Sequence, residues 1–311
     1  MEINTTEYKK IVFIEAKPEL GFNFGYFLIL NRFDDSNKKL QMIGEANNTR
    51  ITNDTAENFE RCKYQVFKNG LLFKHMAGFY NNSAVVYPTF LRPPLENKGD
   101  LDTHALTSMA LHSTREDIKR VDLQFLAMFQ HAKEVLRTWG YEPTEKLIMT
   151  GFSASAKFAQ RFAFLHPEQV SAVVAGGMSA TLCLPVESYK GYILNYPLGT
   201  NDYEEITGRK FDKEAFDKIP HYVLMGDQDQ NDPVPYHDCF TDEEREAIIG
   251  ISDADIQKRW FKMLEIIKDL RLNVYPFLNK GYDHTPKGMP KILEENLPQI
   301  KQQVEENNKN I

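Results

Sequence analysis

Apolar residues recur along the chain with two periods. Ile11–Glu15 and Phe24–Leu30 are short, apolar and aromatic, parted by the turn-forming Lys17-Pro18-Glu19-Leu20-Gly21, and read as strands. The polar Asp34–Lys39 has the look of a hairpin loop, and a third run, Leu40–Ile43, ends in Gly44-Glu45-Ala46-Asn47-Asn48-Thr49. From Asp54 the period lengthens. Phe59, Cys62, Phe67, Leu71, Phe73 and Met76 fall at roughly helical spacing, with Asn53 placed to cap. Ala84–Tyr87 is a β-branched strand stopped by Pro88, and Thr89–Thr107 reads as loop. Ser113-Thr114-Arg115-Glu116 has the capping-box form and predicts a helix start. The apolar stripe Val121, Phe125, Phe129, Ala132 and Leu136 then runs to Gly140.

Beyond it the pattern predicts a strand at Lys146–Thr150, a helix from about Ser155 to His166, and strands at Val170–Ala175 and Tyr222–Met225. A helix over Ile256–Leu270, a strand at Leu272–Phe277 and a helix through Ile292–Ile300 follow, and the polar Gln302–Asn310 is expected to fray. Strands alternating with helices predict the α/β class, a mostly parallel sheet with helices on both faces. The expected organisation is one domain over 1–311, with N-terminal antiparallel strands over about 8–45. Between two of the strands lies a long connection over about 182–220. A segment of that length serves as a lid or pocket wall in a folded domain.

Composition narrows the function by exclusion. A chain of 311 residues has room for one large α/β core. Its 37 Lys+Arg against 44 Asp+Glu give a net charge of −7, which argues against nucleic acid as partner. No apolar run approaches the roughly 20 residues of a membrane span. Cys62, Cys183 and Cys239 form no C-x-x-C pair, so neither a zinc knuckle nor a dithiol redox site is expected. The start, Met1-Glu2-Ile3-Asn4, carries no signal-peptide core, so the expected location is cytoplasmic as the sequence stands, or secreted or periplasmic if a signal has been removed.

Candidate chemistry begins at Gly151-Phe152-Ser153-Ala154-Ser155, where a buried strand runs straight into a helix. In a nucleophile elbow the serine occupies a strained strand-to-helix turn, with small residues two positions either side. Gly151 meets that need, and Ser155 stands where a second glycine is usual. The helix N-terminus points the Ala154 N–H at a developing oxyanion. Serine needs a base, and the base an orienting acid. The loop after strand Tyr222–Met225, Gly226-Asp227-Gln228-Asp229-Gln230-Asn231-Asp232, offers Asp229 at the best spacing, with Asp232 and Asp227 as competitors. It lacks the full calcium-loop pattern. Asn279-Lys280-Gly281-Tyr282-Asp283-His284 follows the last strand and supplies His284 as base. A second oxyanion donor is expected from backbone N–H groups at Asn47 or Asn48, with either amide side chain able to assist and a plain Asn-capped turn as the alternative. Arg92 and His104, in the loop after Ala84–Tyr87, are substrate-contact candidates or structural loop residues.

The order Ser153…Asp229…His284, together with Gly21-Phe22-Asn23-Phe24-Gly25-Tyr26 and Arg120-Val121-Asp122-Leu123-Gln124, resembles the α/β-hydrolase superfamily. More narrowly, it resembles a bacterial group with a Gly-Phe-Ser-Ala-Ser elbow. The resemblance runs from about Gly21 to His284. It implies a sheet of about eight mostly parallel strands, no cofactor, and a triad of Ser153 as nucleophile, Asp229 as orienting acid and His284 as base. The expected activity is that of a carboxylesterase-like serine hydrolase acting on a small-molecule acyl substrate. Its alternatives are a peptidase or polyester depolymerase, for which Tyr189–Tyr196 would wall a longer cleft, and a non-catalytic binding protein on a hydrolase scaffold.

Overall fold

A strand such as Val170-Ser171-Ala172-Val173-Val174-Ala175-Gly176 turns no charged side to water, so both of its faces have to be covered. In the computed structural model it lies inside a nine-stranded sheet with helices on either side. The structure describes residues 2–3, 10–32, 37–67, 72–80, 82–95, 101–236 and 239–309.

The strands of this sheet are β1 (Glu2–Ile3), β2 (Lys10–Ile14), β3 (Tyr26–Arg32), β4 (Lys39–Gly44), β5 (Asn82–Pro88), β6 (Glu142–Phe152), β7 (Val170–Gly176), β10 (His221–Gly226) and β11 (Val274–Asn279). Two short strands, β8 (Ser188–Tyr189) and β9 (Tyr192–Ile193), pair separately as a hairpin. The spatial order is β1-β2-β3-β5-β4-β6-β7-β10-β11, antiparallel as far as β5 and parallel from β5 onward. This is the α/β-hydrolase architecture, and it sets the carboxyl ends of β6, β7, β10 and β11 side by side.

Alternation along each strand divides the core in two. Leu147, Met149, Val173 and Val223 face one side, with Phe125 and Phe129 of α4 (Val121–Thr138), Phe158 and Phe162 of α5 (Ala154–Leu165), Ile248 of α8 (Asp242–Ile251) and Trp260 of α9 (Ile256–Leu270). Ile43, Ile148, Val174 and Tyr222 face the other. They pack with Cys62 and Val66 of α1 (Thr55–Phe67), Met76 of α2 (Leu72–Phe79), and Leu293 and Ile300 of α10 (Met289–Lys309). The remaining helices are short: α3 (Ser108–Leu111), α6 (Tyr203–Thr207) and α7 (Lys213–Asp217). The last two, with the β8–β9 hairpin, occupy the long connection between β7 and β10. No helix of the described residues is long and apolar enough to cross a membrane.

Several boundaries differ from the pattern. The helical stretch after Asp54 is two helices. Residues 68–71, which include Leu71 of the expected stripe, lie outside the described residues, as does the Phe73 side chain. Asp54, not Asn53, caps α1, its Oδ1 accepting from the N–H groups of Ala56 (2.8 Å) and Glu57 (3.0 Å). Asn53 instead accepts from Arg115. Residues 33–36 of the expected hairpin loop and 96–100 of the long loop also lie outside the described residues.

The capping-box segment does not start a helix. Arg115 turns back to pair with Asp117, Gln124 ties down the carbonyls of Asp117 and Lys119, and α4 begins only at Val121. There Arg120 takes a left-handed conformation (φ 50°) and chelates Asp122 at 2.9 and 2.8 Å, while His166 at the end of α5 meets the same carboxylate at 3.0 Å. Burial alone would raise the Asp122 pKa, but the bonds from Arg120 and His166 hold it down at about 2.

The polar tail does not fray within the described residues. α10 continues to Lys309 because Asn307 is buried and its amide donates to the carbonyls of Ser171 (2.9 Å) and Lys218 (2.7 Å), closing the amino edge of the sheet.

His221, at the start of β10, is buried against Phe216, and neither ring nitrogen has a partner among the described residues. Burial lowers its pKa from 6.5 to about 4. The unfolded chain therefore binds the extra proton first on acidification. The stabilisation is complete above pH 6.5 and is lost as the pH falls toward 4. From pH 7 to 4.5, urea melts of the wild type should show a loss larger by about 2–3 kcal/mol than melts of His221→Leu. Equal losses in the two proteins would refute this account.

Candidate active site

β6 ends and α5 begins with a single residue between them, Ser153, whose φ of 61° and ψ of −123° are strained for a side chain with a Cβ. Two neighbours make the corner possible. At Gly151 a Cβ would sit 2.4 Å from the carbonyl carbon and oxygen of Ser155, so only glycine lets the first turn of α5 come this near the strand. Ser155, in the place of the usual second glycine, uses its hydroxyl as a clip. Its Oγ accepts from the Phe152 N–H and donates to the Phe152 carbonyl, both at 3.0 Å. The Ser153 N–H is tied to the Gly176 carbonyl at the end of β7 (2.8 Å). The nucleophile candidate is thus held from both sides on the carboxyl edge of the sheet.

His284 reaches the same edge from the loop after β11. Its Nδ1 lies 2.9 Å from Asp229 Oδ2, and the Asp229 side chain is only 1% exposed. Its ring packs on Phe152, the residue before Ser153, with centroids 4.8 Å apart. On the other flank is Gly177, at φ +65°, where a Cβ would stand 2.8 Å from His284 Cε1. His284 Nε2 is buried and has no hydrogen-bond partner among the described residues. The three residues at the ends of β6, β10 and β11 therefore gather around the Gly176–Gly177 corner.

The competing acids are occupied elsewhere. Asp232 is chelated by the buried Arg259 of α9 at 2.9 and 2.7 Å. Asp227 accepts from the Gly281 N–H at 2.7 Å. Gln257 of α9 donates to the Asp229 carbonyl at 2.8 Å, so one helix braces the acid loop at two points.

The Ala154 N–H, at the first position of α5, and the Asn47 N–H donate to no described partner, whereas the Asn48 N–H is taken by the buried Tyr87 hydroxyl. The Asn47 side chain is not available as a donor to substrate. It is buried, donates to Phe90 O (2.9 Å) and Thr49 Oγ1 (3.1 Å), and accepts from Phe90 N (3.0 Å), which locks the loop after β4 to the loop after β5. The Asn48 carbonyl takes the Gln65 amide at 2.7 Å.

Arg92 and His104 are not surface loop residues. Arg92 pairs with Asp102 at 3.2 Å. His104 is 2% exposed, with Nε2 3.7 Å from the same carboxylate. Burial first, then the cations Arg92, Lys157 and Arg161, push its pKa well below the ordinary value, so the ring is neutral.

All three cysteines are buried and none forms a disulfide, and burial pushes the Cys183 thiol up to about 12, which leaves it unreactive. Among the described residues no three His, Cys, Asp or Glu side chains are grouped to hold a metal ion. A cavity of about 630 Å³ lined by Lys133, Glu145, Lys146, Glu168 and Lys218 opens at the amino edge of the sheet, away from Ser153.

Sequence reasoning missed the Ser155 clip, the Phe152–His284 contact and the role of Gly177. The consecutive glycines 176 and 177 after β7 were the available signal for the last.

No protein-family model matches the chain, and no curated protein matches it. Among solved structures it is similar to poly(aspartic acid) hydrolase-1 from Sphingomonas sp. KT-1, at 14% identity and TM-score 0.51 over 92% of this chain and 97% of that one. It is also similar to a ferulic acid esterase, at 13% identity and TM-score 0.50 over 94% and 98% of the two chains. At these identities the likeness is one of fold.

Filling the Gly177 position should displace His284. In Gly177→Ala, the downfield Nδ1–H proton resonance of His284 hydrogen-bonded to a carboxylate is expected to vanish, as in Asp229→Asn, with about 1–2 kcal/mol of added backbone strain. Persistence of that resonance in Gly177→Ala would contradict the packing argument.

Proposed function

Starting from the α/β-hydrolase fold, we propose that this protein is a serine hydrolase that cleaves an ester or related acyl bond through an acyl-enzyme. The observation that carries the reading is the strained Ser153 corner standing beside a histidine that is oriented by a buried carboxylate. That the two solved structures of like fold bear the names of hydrolases agrees with it.

In this mechanism Asp229 accepts the hydrogen bond from His284 Nδ1–H, which leaves Nε2 as the basic nitrogen facing the corner. As Ser153 Oγ attacks the acyl carbon, its proton passes to Nε2. Charge develops on the former carbonyl oxygen, and the Ala154 N–H, at the positive end of α5, stabilises it together with the backbone N–H of Asn47. When the tetrahedral intermediate collapses, the imidazolium returns the proton to the departing alkoxide. A water molecule then gives a proton to Nε2, attacks the acyl-enzyme, and releases the acid while Ser153 recovers its proton.

Phe152 excludes water from one flank of the histidine, and the Ser155 clip keeps the corner from relaxing. Both act on geometry rather than on substrate, so the binding energy of the fold is used to hold the nucleophile in place before substrate arrives.

Ser153→Ala should abolish hydrolysis of 4-nitrophenyl esters and labelling by a fluorophosphonate probe while leaving the melting temperature near that of wild type. Asp229→Asn should lower kcat by about 10⁴ through loss of the histidine's orientation. Asp232→Asn, by contrast, should destabilise the fold by about 3–5 kcal/mol, because Arg259 is left buried and unpaired. Wild-type activity in Ser153→Ala would overturn the mechanism.

A further inference from the structure

Ser153, Lys157 and Arg161 are spaced four residues apart, so they share one face of α5. Long side chains on a helix lean toward its N-terminus, which here is the end next to Ser153. Both cations are deeply buried, Lys157 at 5% and Arg161 at 3% exposure, and both lie against the ring of Phe240, at 5.4 and 5.3 Å. Lys157 also acts electrostatically on Asp232 in the acid loop and on His104.

Three carboxylates of the described residues around this face have duties of their own. Asp102 pairs with Arg92, and Asp232 is chelated by Arg259. Glu244 takes the Ser108 hydroxyl at 2.5 Å and the Thr241 N–H at 3.1 Å. Arg161 donates one hydrogen bond, to the Ala105 carbonyl at 2.9 Å, and no carboxylate of the described residues forms an ion pair with it. His104, buried between these cations, has an Nδ1 with no partner among the described residues. A buried guanidinium with one carbonyl acceptor and a longer-range attraction to Glu244, beside an imidazole with an idle nitrogen, is costly unless something else supplies acceptor atoms.

We propose that Arg161, Lys157 and His104 form a subsite for a carboxylate on the substrate, a short chain away from the scissile carbonyl. This rests on the serine hydrolase reading above. The helix rises about 6 Å between Ser153 and Lys157, a span that suits a short dicarboxylic half-ester and not a long fatty acyl chain. Arg161 and Lys157 meet the two carboxylate oxygens, and His104 donates from Nδ1 in its neutral tautomer. Phe240 roofs the site and keeps water from weakening the pairing.

Two matched substrate pairs test the subsite. With the charge on the acyl side, mono-4-nitrophenyl glutarate is set against 4-nitrophenyl valerate. With the charge on the alcohol side, 4-butyryloxybutanoate is set against pentyl butyrate. The wild type should favour the anionic member of one pair by about tenfold or more in kcat/KM, equivalent to about 1.4 kcal/mol. That ratio should fall about tenfold in a folded Lys157→Gln. Glutarate alone should raise the melting temperature of wild type and do so less in Lys157→Gln. Cleavage of the neutral esters with no anionic preference in either pair overturns the subsite and leaves the hydrolase reading standing. Absence of both cleavage and a fluorophosphonate adduct overturns the hydrolase reading, and with it this proposal.

Discussion

The carboxyl edge depends on how near the first turn of α5 comes to the end of β6. The Ser155 carbonyl occupies space that any side chain at Gly151 would need. That approach forces the left-handed backbone at Ser153, and the strain is held by bonds on both sides, the Ser155 hydroxyl to Phe152 and the Gly176 carbonyl to the Ser153 N–H. Once the corner is set, Phe152 presents a ring for His284 to rest on, and Gly177 leaves the space beside it open. The histidine site is thus a consequence of strand–helix packing as much as of its own loop.

A second layer keeps the acid in place. Among the described residues Asp229 pairs with no charged side chain other than His284, and its loop is steadied from α9 by Gln257 and by the Arg259–Asp232 pair. Two carboxylates three residues apart therefore do different work. One is paired with a cation and fixes the loop; the other is paired with an imidazole and sets its tautomer. The Arg120–Asp122–His166 cluster does similar bracing at the opposite end of α5. A helix whose every residue is buried is anchored by ionic contacts near both ends.

Much of this is legible in the sequence alone, because it follows from local pattern. The parallel strands read as unbroken apolar runs, and α9 spans the residues that its period predicts. Ser153, Asp229 and His284 each follow a strand end, and the spacing favoured Asp229 over Asp232. What the pattern hid is non-local. The Ser113–Glu116 segment satisfies a helix-start rule, yet side-chain bonds to Asp117, Lys119 and Asp122 bend it before a helix can form. Asn47 carries a polar amide in a loop, which suggests a donor to substrate, but that amide is spent on Phe90, 43 residues later. His104 sits in a loop by sequence and in the core by packing. Contacts across such distances leave no periodic trace, so only the fold reveals them.

The reach of α10 bears on how the chain is made. Its Met289, Leu293, Ile300 and Val304 close the face of β7 and β10, and its Asn307 fastens two carbonyls from Ser171 and Lys218. All of these residues are translated after every strand of the sheet. During elongation the apolar face formed by Val174, Tyr222 and Leu224 therefore waits uncovered while the rest of the chain is already available to collapse. A ribosome-bound intermediate stalled before residue 289 carries that patch of the sheet bare, apolar surface of the kind that promotes aggregation until the closing helix emerges.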